Sequence, residues 1–373
     1  MRIKEKIAIT AAAAILTAGM LSGCGENPAH AASQQTAAQE PAEPGLKIAL
    51  LSSVTGIDDG SFVLDNYNGI SDFISDHKQS SVEMITEETG EPRYALEEAD
   101  MVAADYDVII CAGYQFSGIT KTAAEYPDKK FILVDSFPTD ENGNETSADN
   151  IYAMVFKEQE SGFLAGIAAA LTTKTGKVAV ICGMPLPSNI NYQRGFEYGV
   201  EYSNKTYGTD AETAELETFG GTDANGADIG GNYVGSFSDM DTAKKIAETL
   251  IAQDCDVLFA AAGASGKGVL DAVKESKQDD WLIGSDTDRS RDGVAGSKNV
   301  VLTSVIKNMG MNDRKILEDI AAGTFKGGNY LLGADSGSTA YISAPEKCRL
   351  SDDAKEKLDE AFALLQQGGI EIQ

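Results

Sequence analysis

The chain has 373 residues, with 58 acidic against 30 basic side chains and a formal charge of −28. So acidic a body repels nucleic acid and anionic lipid headgroups, and it excludes a polyanionic ligand that lacks a dedicated basic pocket. Only two histidines occur, His30 in a low-complexity stretch near the start and His77 in a polar loop, so no histidine base or metal cluster is expected from them.

Arg2, Lys4 and Lys6 form a positive start, Ile7 to Met20 an apolar stretch, and Leu21-Ser22-Gly23-Cys24 a short-residue close. That order predicts a secretory leader over 1–23 rather than a spanning helix. The ending resembles a bacterial lipoprotein box, which implies lipidation of Cys24 and an anchor at the extracytoplasmic face of the cell membrane; two acyl chains hold where one is marginal. Residues 24–45 follow, rich in Ala, Gln, Glu and Pro without periodicity, and read as a disordered tether with a reach of roughly 25 Å. Nothing later in the chain approaches the roughly 18 continuous apolar residues of a span.

Lys47–Leu51 is an apolar run between Pro44-Gly45 and Ser52-Ser53, so it reads as a buried strand. Asp58 or Asp59 stands where a carboxylate caps the next helix, whose stripe is Val63, Tyr67, Ile70 and Ile74. Phe62 lies just off that stripe, as a ligand-facing residue or as packing under the turn. Strands are predicted at 81–86, 107–113, 131–135 and 151–156, with helices at 94–104 and 119–125. A long Ala-rich helix over 157–171 opens a second series. It continues with strands at 178–183, 212–219, 256–263, 281–286 and 300–306, and with helices at 192–203, 242–253, 268–276, 311–322 and 352–367. Near-continuous apolar strands alternating with helices predict an α/β protein of two doubly wound parallel-sheet lobes. The division expected is 46–156 plus about 308–335 for the first lobe and 157–307 plus about 336–373 for the second.

Gly220–Gly235 interrupts the second series. Asp223, Asn225 and Asp228 faintly match a calcium loop, but Ala227 fills a ligand position and no glutamate closes it, so a flexible loop is expected. Gly263-Ala-Ser-Gly-Lys-Gly268 lacks the Ser or Thr that a phosphate loop needs after its lysine. Cys111, Cys182, Cys255 and Cys348 are widely spaced and form no CxxC pair, which leaves buried thiols or one disulfide. Neither cofactor nor metal is expected, and no residue set supports an enzyme. What stands out is a series of polar or glycine residues at strand carboxyl ends: Ser53, Gly113, Asp135, Gly183, Gly263, Asp286 and Lys307. Such ends converge on the crevice where open α/β sheets bind ligands.

Gly56–Phe62, Val155–Gly166, Phe259–Gly263, Ile283–Asp288 and Leu302–Asn308 resemble the basic membrane protein family, lipoprotein substrate-binding components of ABC importers similar to the purine nucleoside receptor A proteins. The resemblance covers nearly all of 47–373. It implies a type I periplasmic-binding-protein fold that closes on a nucleoside and hands it to permease and ATPase subunits. Phe62 then matches a base-stacking aromatic and Tyr192 lies where a second is expected. Asp135 matches an acid facing the base, and Gly263, Asp286 and Lys307 match ribose contacts. Ser53 stands where the family usually has an acid, which implies weaker base discrimination. With Asp58 beside Phe62, these residues are the expected binding set. A monomer is expected, and a surface sensor or adhesin on the same fold is the alternative to transport.

Overall fold

The computed structural model describes residues 45–52, 55–86 and 91–372. The leader, the tether, Cys24 and Ser53 lie outside the described residues. Lys47–Ser52 (β1) is buried along almost its whole length, and Phe62–Asp76 (α1) follows it, burying Val63, Ile70 and Phe73 on one stripe. Next come Ser81–Thr86 (β2), Pro92–Val102 (α2), Val108–Ala112 (β3), Thr120–Glu125 (α3), Lys130–Val134 (β4) and Ile151–Phe156 (β5). The second series runs through Glu158–Thr172 (α4), Lys177–Cys182 (β6), Pro187–Tyr207 (α5), Glu212–Thr213 (β7), Gly221–Thr222 (β8) and Asp228–Gly230 (β9). It continues with Met240–Ala252 (α6), Val257–Ala261 (β10), Gly266–Glu275 (α7), Trp281–Gly284 (β11), Val294–Ala295 (β12), Lys298–Asn299 (β13) and Val301–Lys307 (β14). Met309–Ala321 (α8), Gly328–Leu332 (β15), Thr339–Tyr341 (β16) and Asp352–Gln366 (α9) complete the order.

One sheet runs β15-β5-β4-β3-β1-β2 and the other β16-β14-β11-β10-β6-β7. Each carries apolar clusters on both faces, which is why the central strands read as unbroken apolar runs. The second sheet is not wholly parallel as expected: β16 pairs antiparallel with β14, Val305 opposite Tyr341. A short return strand at the sheet edge needs no helical crossover, so it left no long apolar run in the sequence.

The chain passes between the two lobes after β5, after β14 and after β15, and these crossings are tied together. The Glu160 carboxylate accepts from Ala334 N at 2.7 Å and from Thr339 Oγ1 at 2.6 Å, and Ser161 Oγ donates to the Ile306 carbonyl at 2.9 Å. The Gly162 and Gly166 spacing has a packing cause. A Cβ on Gly162 would stand 2.3 Å from the Tyr192 carbonyl, and one on Gly166 would stand 2.1 Å from that of Phe196. Only glycine lets α4 lie this close to α5.

Two local expectations are corrected. The strand foreseen at 212–219 is only β7 before a 3-10 turn over Glu217–Phe219. The glycine-rich stretch is not a featureless loop: β8 and β9 form a hairpin, pinned where Asn232 Nδ2 donates to the Val180 and Ala214 carbonyls, both at 3.0 Å. At its tip Asp223 Oδ1 accepts from Asn225 N and Ala227 N, which closes a turn. Among the described residues no cluster of three or more His, Cys, Asp or Glu side chains could hold a metal, and no helix is long and apolar enough to cross a membrane. Cys111, Cys182, Cys255 and Cys348 are free and buried; burial pushes the Cys255 thiol up to about 12 and the thiols of Cys111 and Cys182 higher still.

Candidate functional site

The strand ends of the two sheets meet at a buried ion cluster. β14 delivers Lys307, 2 % exposed, and its ammonium lies 2.7 and 2.6 Å from the two Asp135 oxygens at the end of β4. Glu158, fully buried at the start of α4, reaches the same ammonium at 3.3 Å. Asp286, after β11, is the third carboxylate; its carbonyl accepts the Lys307 amide at 3.0 Å. Burial works against the Lys307 charge, but Asp135, Glu158 and Asp286 together hold its affinity for the proton above that of a free lysine. Burial pushes the Asp286 carboxyl up against the pull of Lys307 and a Tyr192 hydrogen bond. It also pushes Glu158 up to about 7, opposed by Lys307 and reinforced by Asp135.

Backbone strain marks the same residues. Asp135 and Asp286 both have φ of 66°, a left-handed conformation that few side chains other than Asn and Asp tolerate. Each carboxylate is therefore aimed by a turn at the strand end, and such outliers concentrate where ligands are held. Gly263, after β10, has φ of 55°.

Phe62 is the first residue of α1 and half-buried, with the Lys307 ammonium 5.2 Å from its ring centroid; Phe156 takes the same charge at 5.5 Å. The helix is capped by Asp59 and not by Asp58. Asp59 is buried and accepts from Ser61 N at 2.9 Å, Val63 N at 2.7 Å and Leu64 N at 3.3 Å. The Asp58 side chain is exposed, and its carbonyl, not its carboxylate, makes a contact, accepting from Lys267 Nζ. Of the two carboxylates that the sequence leaves open for the cap, it is Asp59 that the 3-10 turn over Gly56–Asp59 turns inward.

Tyr192 also sits differently from expectation. Its ring is 3 % exposed and meets Phe259 edge-on at 5.7 Å, and its hydroxyl donates to Asp286 Oδ1 at 2.8 Å. Burial and the nearby Asp286 and Glu158 raise its phenol well above the usual range, so it stays a donor. Tyr192 thus steadies Asp286. The aromatic that lies over the second lobe's strand ends is Phe237, which the sequence reading did not single out. Its ring covers Gly183 and Gly263: a Cβ built on Gly183 would stand 2.3 Å from Phe237 Cδ1, and one on Gly263 3.4 Å. Gly183 is needed for that ring to approach the sheet edge, whereas glycine at 263 is favoured by its positive φ. The signal available in the sequence was a lone aromatic between Gly235-Ser236 and the Asp239 cap of α6. Glu158 was missed as well, because one acid in an acidic chain carries no mark of burial.

The arrangement offers three acceptors of hydrogen bonds, one buried cation and two aromatic rings from opposite lobes, a set suited to binding a neutral, hydroxyl-bearing ring compound. Among the described residues no histidine or thiol stands with it; His77, at the C-terminal end of α1, stacks on Phe73 at 4.1 Å and pairs with Glu318 at 2.8 Å.

Residues 46–227 and 224–361 match the family described as PnrA-like ABC transporter substrate-binding proteins. The chain is 27 % identical over 303 residues to basic membrane protein A of Borreliella burgdorferi, covering 80 % of each. It is 26 % identical over 371 residues to the ABC transporter nucleoside-binding protein BmpA of Lactococcus lactis subsp. cremoris, covering 93 % of this chain and 96 % of that one. Among solved structures, an ABC transporter solute-binding protein of Aeropyrum pernix K1 superposes with a TM-score of 0.72 at 22 % identity, covering 87 % of this chain and 92 % of that one. A transcriptional activator of the comK gene from Bacillus halodurans reaches 0.65 at 21 %, covering 87 % of this chain and 99 % of that one. The two-lobed architecture is the type I periplasmic-binding-protein fold. The chain belongs to the family of PnrA-like substrate-binding proteins of ABC transporters.

Proposed function

We propose that this protein binds nucleosides between its lobes and delivers them to an ABC permease, tethered to the extracytoplasmic face of the membrane through a lipid on Cys24. The observation that carries the reading is the convergence of Asp135, Asp286 and Lys307 from both sheets beside the Phe62 ring. It does not act as an enzyme in this reading. A base lies between Phe62 and Phe237, gaining roughly 1–3 kcal/mol from each stacking face. Asp286, steadied by Tyr192, accepts from ribose hydroxyls, and Lys307 donates to hydroxyl or ring oxygen. Asp135 can only accept, so it favours a base edge that offers N–H, as guanine and hypoxanthine do, and purine nucleosides are the ligand class proposed. The Lactococcus lactis relative is named for nucleoside binding, which supports the class.

Titration calorimetry of the purified protein against guanosine, inosine, adenosine and uridine tests the reading. Phe237→Ala should weaken whatever binds by about 1–3 kcal/mol, roughly five- to a hundred-and-fiftyfold, without changing the order of preference. Unchanged affinity in Phe237→Ala would return the second wall to Tyr192 or remove it.

A further inference from the structure

We propose that Lys267 is a positioning residue, a latch between the lobes that sets the spacing of the two aromatic walls. It lies in the glycine-rich run that fails as a phosphate loop, and it donates from Nζ to the Asp58 carbonyl of the other lobe. Arg289 comes to the same turn: a Cβ on Gly60 would stand 3.9 Å from Lys267 Cε and 4.0 Å from Arg289 Nη2. Gly60 has φ of 69°, so the turn is built without a side chain where the two cations arrive.

Each end of the latch is fastened to one wall. In the first lobe the Asp59 carboxylate ties the turn to the amides on either side of Phe62, so Asp58 and Phe62 move together. In the second lobe Ser265 N donates to the Phe237 carbonyl at 2.9 Å and Ser265 Oγ to the Ser236 carbonyl at 3.1 Å. Lys267 is the second residue of α7, two residues after Ser265 of the 3-10 turn that precedes it, so it moves with Phe237. One ammonium–carbonyl bond therefore fixes ring against ring, although Lys267 touches neither. A contact made only when the lobes are together adds its free energy to the closed state alone and slows ligand escape.

The ligand in this inference rests on the nucleoside reading; the latch itself does not. Stopped-flow release of 2-aminopurine riboside, whose fluorescence reports stacking, reads it. Lys267→Met keeps the aliphatic stem and removes the donors, and it should raise the dissociation rate about tenfold with little change in association rate. Lys267→Arg keeps a donor and should stay near the parent. Equal dissociation rates for the parent and Lys267→Met, or an Arg form as fast as the Met form, would overturn the latch. If the parent binds no nucleoside, the functional reading falls alone. Small-angle scattering of the ligand-free forms then decides: the latch predicts a larger radius of gyration for Lys267→Met, and identical curves overturn it.

Discussion

Lys307→Met should abolish ligand binding and destabilise the ligand-free fold by about 3–5 kcal/mol, because it strips the cation from a buried group of carboxylates. Asp135 lies 2.6 Å from Nζ and Glu158 3.3 Å, and Glu158 has no solvent to turn to. The loss should depend on pH with a defined sign. Burial already raises the Glu158 carboxyl to about 7 despite Lys307. A carboxyl raised on folding contributes stability that is complete below its free value, near 4.5, and is lost as pH rises through the folded value. Without Lys307 the rise is larger, so Lys307→Met should be far less stable at pH 8 than at pH 5. Adding Glu158→Gln should return part of the loss and flatten that slope. Urea unfolding at the two pH values measures both effects, and a Lys307→Met protein as stable as the parent at pH 8 would contradict the cluster.

Asp286→Ala should weaken nucleoside binding ten- to a hundredfold, the usual consequence of removing a buried acceptor from hydrogen bonds to charged or strongly polar partners, about 1.5–3 kcal/mol. Two effects on the ligand-free protein oppose each other. The Tyr192 hydroxyl loses its acceptor at 2.8 Å, while a carboxyl that burial and Asp135 both disfavour in its charged form is taken out of the cluster. Alanine is also strained at φ of 66°, by roughly 1–2 kcal/mol, so Asp286→Asn is the companion variant: it accepts the left-handed turn and still receives Tyr192. Asp286→Asn should keep the parent's melting temperature and bind more weakly than the parent. Parent-like affinity in both variants would move the ribose side of the site elsewhere.

What the sequence made legible follows from burial. Strands covered on both faces leave apolar runs such as Val108–Ala112 and Val257–Ala261, and their carboxyl ends mark the crevice, so Asp135, Asp286 and Lys307 could be found one by one. Their meeting could not, since Lys307 and Asp135 are separated by 172 residues and joined only by the way the lobes meet. The burial of Tyr192 was hidden for a related reason. The family resemblance put Tyr192 at a ligand-facing position, but whether a ring faces ligand or core depends on what packs behind it, here Phe259. Phe237 was hidden because glycines at 230, 231 and 235 read as flexibility, whereas Asn232 pins the segment to β6 and Ser265 holds it to the 3-10 turn before α7. Asp58 and Asp59 could not be separated as caps, because a 3-10 turn decides which of two adjacent carboxylates points inward.

A crystal structure of the protein with guanosine or inosine tests the central claim most directly. The account predicts the base between Phe62 and Phe237, with ribose hydroxyls within hydrogen-bond distance of Asp286 and Lys307. A nucleoside seated away from these strand ends, or one lying against neither ring, would contradict it.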